Sequence, residues 1–155
     1  MTGWVWSAEV LADWVDYNGH MRDAYYGLAF SYAVDDVMVQ VGMDATYRAL
    51  TNCTLYVIED HKVYLEELHE AVAFDVRSTV IDHDAKRIVL RQEMWADLGL
   101  RAVCESVQLH VSQAGGMPKA AEMPDAIQAR VAAGLIPAAE RDAQAHKARA
   151  LGLRR

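Results

Sequence analysis

The chain has 155 residues, of which 53% are hydrophobic and 24% charged, and its 15 Lys and Arg against 22 Asp and Glu give a formal charge of -7. This length and composition predict one globular domain with a real core and exclude a multidomain or disordered chain. The negative charge repels phosphate backbones and argues against nucleic-acid binding.

Cysteine usage and hydropathy indicate the compartment. Cys53 and Cys104 are too few for a disulfide framework and lack the spacing of a structural zinc site. The amino terminus has no basic flank with a long apolar stretch behind it, and the uncharged apolar segment at residues 24–34 is shorter than the roughly 18 residues of a membrane span. We therefore expect a soluble protein of the cytoplasm that contacts neither membrane nor nucleic acid.

The first long periodic segment, residues 22–41, predicts a helix. Apolar residues recur at helical spacing, and further apolar residues on its other side indicate burial over most of the circumference. Gly42 follows the last periodic residue, as expected of a left-handed helix end. The recurring residues are Tyr26, Phe30, Ala33, Val37 and Val41.

After the helix the pattern alternates with period two, which predicts strands. Four strands are expected at about residues 53–65, 71–81, 86–95 and 101–111, joined as antiparallel hairpins, and residues 3–11 supply a first strand. A weaker helical stretch is expected from Pro124 to about Arg149, interrupted at Gly134 and Pro137. The order predicts an α+β fold with one sheet curved around one helix.

Asp16-Tyr17-Asn18-Gly19-His20-Met21 is the segment in which we expect chemistry. It places a carboxylate and an imidazole immediately before the predicted helix. The first helical turn has unpaired N–H groups and a partial positive charge, which can stabilise an oxyanion beside a carboxylate that acts as base or nucleophile. The same residues also suit an ordinary turn in which Asn18 is a helix cap.

This motif, followed by Ala24, Tyr26 and Phe30, resembles the signature of hotdog-fold acyl-CoA thioesterases of the 4-hydroxybenzoyl-CoA thioesterase type. The resemblance implies a curved antiparallel five-stranded sheet wrapped around one long central helix, with a C-terminal helical tail. Residues 1–118 would form the thioesterase domain and residues 119–155 a helical extension of it. It also implies a homodimer or homotetramer with the site between subunits.

The family likeness carries roles for individual residues. It implies catalytic roles for Asp16, His20 and Asp23, with Asp16 as base or nucleophile and backbone amides between His20 and Asp23 as oxyanion donors. Substrate-binding roles follow for the nearby turn and helix residues, while neither a metal nor an organic cofactor is implied. Arg22 and Asp23 depart from the family, which often has two Asn there. The implied substrate-binding residues are Tyr17, Asn18, Gly19, Tyr25 and Tyr26.

A narrower likeness is to the betainyl-CoA thioesterase domains associated with L-carnitine dehydrogenase. It is carried by residues 13–21, 23–26, Glu105 and residues 109–111, and it implies a place in carnitine metabolism. A trimethylammonium acyl group prefers aromatic faces and negative charge. The aromatic side chains that we expect as a cage are Trp14, Tyr17, Tyr25 and Trp95; each also suits a core or dimer interface.

Several alternatives remain open at this stage. An enoyl-CoA hydratase-like hotdog enzyme would use an Asp and a His, but related hydratases separate that pair by four residues, whereas Asp16 and His20 enclose three. A non-catalytic hotdog ligand-binding module is the other alternative.

Glu66 and Glu67 suit either a second active-site group or a solvated strand end. Three basic residues, Lys86, Arg87 and Arg91, suit either the phosphates of coenzyme A or the water-facing side of a hairpin.

Overall fold

The computed structural model describes residues 3–153 and contains five long antiparallel strands curved around one long helix. The elements are β1 (Trp4–Glu9), a 3-10 turn (Ala12–Trp14), α1 (Asp23–Val41), α2 (Ala45–Thr51), β2 (Cys53–Tyr64), β3 (Ala73–His83), β4 (Arg87–Ala96), β5 (Gly99–Ser112), β6 (Lys119–Ala120), α3 (Asp125–Ala133) and α4 (Ala138–Ala143). The sheet order is β1-β3-β4-β5-β2, and the two-residue strand β6 pairs with β5. The predicted α+β hotdog fold is confirmed.

Helix α1 matches its predicted limits and ends at Gly42, whose φ of 96° lies in the left-handed region as expected. One long side of the helix packs on the sheet through two apolar clusters, one near each helix end. Tyr32 and Val39 on the other side are 43% and 54% exposed in the single chain. The prediction of burial over most of the circumference is therefore wrong, because the sheet covers only one side.

Strand β2 forms an edge of the sheet and contains a bulge. Its pairing with β5 shifts register between Val57 and Glu59, so Ile58 is the extra residue. A bulge reverses the alternation of side chains beyond it. Asp60 and Lys62 consequently border a cavity beside α1, and the Tyr64 ring contacts Tyr26 of that helix.

The C-terminal part is less helical than predicted. Helix α4 ends at Ala143, and the stretch from residue 144 to Arg149 is not helical, which corrects the expected limit. This stretch lies against the outer face of the sheet, where its backbone accepts a hydrogen bond from Arg91 and donates one to Glu105. Polar contacts to the sheet replace helical hydrogen bonds there.

Helix α3 is integrated with the rest of the fold. Ile127 and Val131 join the apolar cluster at the carboxyl end of α1, and Arg130 donates to the Val41 carbonyl at 3.4 Å. β6 lies just past residue 118 and pairs with β5. The boundary between the thioesterase domain and its helical extension, at residues 118 and 119, stays a prediction. Residues 1, 2, 154 and 155, at the outer ends of these two parts, lie outside the described residues. None of the helices within residues 3–153 combines the length and apolar character needed to cross a bilayer.

Candidate active site

Asp16 lies in a tight turn that precedes α1. The Gly19 N–H donates to the Asp16 carbonyl at 2.9 Å, and the Asp16 N–H donates to the His20 carbonyl at 3.2 Å. The Asn18 N–H donates to the Asp16 carboxylate at 2.8 Å. Gly19 has a φ of 83°, a conformation that favours glycine. The turn therefore orients the carboxylate through its own backbone.

The start of α1 provides free amide donors. Arg22 occupies the N-cap position without a side-chain cap. The Met21 N–H donates to the Leu68 carbonyl at 2.7 Å, and the Arg22 N–H donates to the Trp14 carbonyl at 2.9 Å. Within residues 3–153 the N–H groups of Asp23 and Ala24 have no hydrogen-bond acceptor. Of the amides expected between His20 and Asp23, two are thus already bonded, and Ala24 supplies an additional donor.

A cavity of about 370 Å³ opens between this helix start and the end of β2. Four carboxylates line it, so its walls are strongly acidic. Glu66 also receives a hydrogen bond from Arg101 at 2.6 Å. The carboxylate residues are Asp16, Asp23, Glu66 and Glu67; the other lining residues are Asn18, His20, Met21, Arg22, Tyr26, Tyr64 and Leu65.

Tyr26 and Tyr64 supply the aromatic part of the cavity wall. Their rings meet edge to face with centroids 5.3 Å apart, and the Tyr26 hydroxyl donates to the Glu66 carbonyl at 3.4 Å. Burial raises the pKa of both tyrosines. Both hydroxyls are therefore neutral at physiological pH. Sequence reasoning included Tyr26 but missed Tyr64, because the bulge at Ile58 decides which side of β2 faces the helix.

The structure brings all three predicted catalytic residues to one cavity. Asp16, His20 and Asp23 all line the cavity, as does Asn18. The His20 ring meets the His69 ring edge to face at 6.3 Å. Glu66 and Glu67, for which a solvated strand end was one interpretation, also border the cavity.

Three predicted substrate-binding residues lie elsewhere. Tyr17 is 89% exposed, with the Arg22 guanidinium 5.9 Å from its ring centroid. Tyr25 stacks on the buried Trp14 ring at 5.5 Å. The Gly19 carbonyl contacts His69 at 3.2 Å, and Gly19 supports the turn without lining the cavity.

The expected aromatic cage does not form within the described residues of one protomer. Trp95 lies on the outer side of the sheet, where its indole N–H donates to Glu93 at 3.1 Å and Arg77 covers its ring at 5.1 Å. Trp14 is buried against Tyr25. Strand alternation and local stacking thus direct these rings away from the cavity.

Two further side chains singled out from the sequence are structural. Arg91 is 2% exposed and paired with Glu93 and Glu105, so it does not lie on the water-facing side of a hairpin. Cys104 is buried, and this burial raises the pKa of its thiol to about 12, which suits a small core residue. No three His, Cys, Asp or Glu side chains within residues 3–153 lie close enough to share a metal ion.

The chemistry available at this cavity is that of a carboxylate beside free helix-start amides. A carbonyl bound against the amides of Asp23 and Ala24 would have its oxygen polarised by two N–H groups and the positive end of the helix dipole. The Asp16 carboxylate on the same cavity can attack that carbonyl or accept a proton from water.

This chain is similar to known thioesterases in sequence. The model of the Thioesterase-like superfamily matches residues 10–131. A betainyl-CoA thioesterase of Pseudomonas aeruginosa is 39% identical over 126 residues, which cover 80% of this chain and 78% of that protein. An L-carnitine dehydrogenase/betainyl-CoA thioesterase of Ruegeria pomeroyi is 35% identical over 106 residues, which cover 68% of this chain but only 22% of that longer protein.

Solved structures share the architecture. A Pseudomonas putida KT2440 protein suggested to be a thioesterase is 30% identical with a TM-score of 0.83, and the match covers 100% of this chain and 99% of that one. A Staphylococcus aureus protein in complex with CoA has a TM-score of 0.79 at 24% identity, covering 95% and 96% of the two chains. A 4-hydroxybenzoyl-CoA thioesterase has a TM-score of 0.78 at 9% identity, covering 84% and 99%. At these lower identities the likeness concerns the fold.

The curved antiparallel sheet around one long helix is the hotdog architecture, which this chain shares with these thioesterases. The chain belongs to the Thioesterase-like superfamily, whose model covers most of it. The predicted assignment to thioester hydrolases is confirmed by this match and by the thioesterase relatives.

Proposed function

We propose that the protein hydrolyses a small acyl-CoA thioester at the cavity between the α1 start and the end of β2. The observation that carries the proposal is that Asp16 and the helix start bearing two free amides border the same cavity. The thioester carbonyl oxygen accepts hydrogen bonds from the amides of Asp23 and Ala24. Asp16 either removes a proton from the attacking water, after which the C–S bond breaks and CoA takes up that proton as the free acid leaves, or attacks the carbonyl carbon itself. In the second case C–S cleavage releases CoA and leaves an anhydride on Asp16, which water then hydrolyses to the free acid.

The neighbouring residues support this reaction in distinct ways. The Asn18 backbone amide and the Gly19 turn orient the Asp16 carboxylate. His20 and Asp23 border the bound thioester, and Tyr26 closes one wall. Tyr17 and Tyr25 lie away from this cavity. They contact substrate only in an assembly in which the partner subunit places the substrate against them.

Betainyl-CoA is the substrate that the cavity chemistry and the named relatives favour together. Its acyl group carries a permanent trimethylammonium cation. Four carboxylates provide negative potential around it, and the Tyr26 and Tyr64 side chains provide aromatic surface. The Pseudomonas aeruginosa relative is named for this substrate. Hydrolysis of betainyl-CoA would give the present protein a role in carnitine metabolism.

We also propose that the protein works as a homodimer or as a homotetramer built from two such dimers. Strand β2 is an edge of the sheet, and Tyr56, Val57 and Ile58 on it are 37%, 58% and 54% exposed. An exposed apolar edge strand is a template for pairing with a second strand. Antiparallel pairing of two β2 strands would bury these residues and bring the partner close to Tyr64. Light scattering on the purified chain tests this assembly. We propose in addition that the protein is located in the cytoplasm, as predicted from the sequence.

The test of activity is thiol release from a matched pair of thioesters. Betainyl-CoA and 3,3-dimethylbutyryl-CoA have the same shape and differ in the charge of the terminal group. We expect kcat/KM for betainyl-CoA to be higher by about tenfold or more, as one desolvated cation–aromatic contact with nearby charge can supply. Equal turnover of the pair would remove the cationic-site argument while leaving the thioesterase activity in place.

Asp16→Asn is the variant that tests the catalytic assignment. We expect its kcat to fall by about a hundredfold or more, because the amide is a poor base and nucleophile. Asp13→Asn, an exposed residue outside the cavity, is the matched control and should retain activity. Equal rates in the wild type and Asp16→Asn would favour the non-catalytic binding module, and hydration of crotonyl-CoA without thiol release would favour the hydratase. Oxygen-18 incorporation into Asp16 in a single turnover distinguishes nucleophile from base.

A further inference from the structure

A second cavity lies along the same seam between α1 and β2. It has a volume of about 200 Å³, more than the roughly 150 Å³ that suffices to bind benzene in an engineered protein cavity. Its apolar wall comes from Phe30, Val34, Met38, Leu55 and Val57, and its polar wall from Ser31, Asp35, Asp60, Gln92, Ser106 and Gln108. We call it the inner cavity, and the one that contains Asp16 the outer cavity.

The two cavities follow one another along both elements. On α1, Asp23 and Tyr26 border the outer cavity, and the next residue, Gly27, borders the inner one. On β2, Tyr64 borders the outer cavity and Lys62, two residues before it, borders the inner one. Gly27 and Lys62 therefore mark the boundary between the two spaces.

The Lys62 side chain occupies this boundary. Its Cε lies 3.6 Å from the position that a Cβ on Gly27 would take, so the chain extends directly over the glycine. A methyl group at Gly27 would be in ordinary van der Waals contact with the lysine stem at this distance, so the stem packs closely over the helix backbone. The bulge at Ile58 turns Lys62 toward α1. Without this shift in register, the residues on either side of Lys62 would face the helix instead.

Asp60 anchors the lysine in place. The Lys62 ammonium donates to the Asp60 carboxylate at 2.5 Å, and the lysine side chain is 20% exposed. Burial opposes the charge, but the hydrogen bond and the attraction of Asp60 raise the pKa of Lys62 above its ordinary value. The ammonium thus stays charged and paired at neutral pH.

We propose that Lys62 closes the floor of the acyl site and sets the limit on acyl length, with the inner cavity as an unused extension behind it. This inference rests on the proposed function. A short acyl group fits in front of the lysine stem. A linear chain of six to eight carbons must pass between Lys62 and Gly27 to reach the apolar wall beyond. Lys62 acts here on specificity and takes no part in bond cleavage.

The experiment compares thiol release from acetyl-, butyryl-, hexanoyl- and octanoyl-CoA by the full chain and by Lys62→Ala. We expect the ratio of kcat/KM for octanoyl-CoA to that for butyryl-CoA to rise about tenfold or more, since each methylene placed in an apolar pocket contributes about that factor. Lys62→Ser tests the same opening should the alanine variant prove unstable. Asp60 keeps solvent contact at 39% side-chain exposure, so neither variant leaves a buried unpaired charge.

Lys62→Met is the matched control, because it keeps the length of the stem and removes the charge. We expect its octanoyl to butyryl ratio to stay near that of the wild type. An unchanged ratio in folded Lys62→Ala and Lys62→Ser, or an equal rise in Lys62→Met, would overturn the proposal. Failure of the wild type to hydrolyse any thioester would instead refute the proposed function, which separates the two results.

Discussion

The guanidinium of Arg91 donates to the carboxylate of Glu105 at 2.9 Å on the outer face of the sheet, where the two residues are 2% and 8% exposed. They are direct neighbours across β4 and β5. Arg91 also donates to the Ala145 carbonyl at 2.9 Å, and Glu105 accepts from the Ala148 N–H at 2.7 Å. The ion pair therefore attaches the C-terminal segment to the sheet.

Removal of one partner should destabilise the fold strongly. Glu105→Ala leaves the buried Arg91 with Glu93 as its remaining charged partner, and we expect the free energy of unfolding to fall by about 2–3 kcal/mol, the cost of a lost hydrogen bond between charged groups. Chemical denaturation measures this loss. Glu122→Ala, at an exposed position, is the control and should change stability by less than about 0.5 kcal/mol. A comparable effect of the two substitutions would show that burial of the pair is unimportant.

Gly19→Ala should impair catalysis through the turn that carries Asp16. Gly19 has a φ of 83°, and no atom lies within 4 Å of the position that an added methyl group would take, so the cost is conformational, at about 1–2 kcal/mol. The turn should relax and displace the carboxylate, and kcat should fall by about tenfold or more.

The matched control for this glycine is Gly115→Ala. Gly115 has a φ of 85° and equally open surroundings, but it lies in the loop between β5 and β6. It should lose similar stability and retain kcat. Equal activity of the two variants would contradict a role for the Gly19 turn in positioning Asp16.

The two thiols should differ in reactivity. Burial raises the pKa of Cys104 to about 12, so it has almost no thiolate at pH 8. Cys53 is only partly buried at the start of β2. Iodoacetamide should alkylate Cys53 in the native protein and both residues in denaturant, as read by mass spectrometry of peptides. Rapid native alkylation of Cys104 would contradict this picture.

Asp84 gives the hairpin between β3 and β4 a measurable pH dependence. Hydrogen bonds from Arg87 and from the Lys86 backbone N–H lower the pKa of the Asp84 carboxyl from 3.8 to about 2. A lowered pKa stabilises the fold above the unfolded pKa, and this contribution is lost as pH falls through the folded one.

Asp84→Asn should therefore be less stable than the wild type at pH 7, and the gap should close between pH 4 and pH 2. The pair is solvent-exposed, so we expect a gap of no more than about 1 kcal/mol that shrinks in high salt. Thermal unfolding of both proteins across this range measures it. A gap that widens toward low pH would have the wrong sign.

Some features of the fold followed from local sequence. The limits of α1 and its end at Gly42 were predictable because a 19-residue apolar periodicity and a left-handed glycine are local signals. The β3–β4 and β4–β5 hairpins followed from period-two patterns, but the expected hairpin between β2 and β3 was wrong, because β2 pairs with β5 instead. α2 was missed, although Asp44 caps it by accepting from the Tyr47 N–H at 2.8 Å, because a seven-residue helix with no buried residue has no strong periodicity.

The sequence by itself determined the order of the five long strands and the central helix, the carboxylate turn before that helix and the acidic balance, because each depends on local residue patterns or on composition. Only the tertiary structure decided which side chains meet at the cavity. The bulge at Ile58 turned Lys62 and Tyr64 toward α1, and sheet alternation turned Trp95 away. Such choices depend on strand register, which arises from pairing between residues distant in sequence and leaves no periodic signal within one segment.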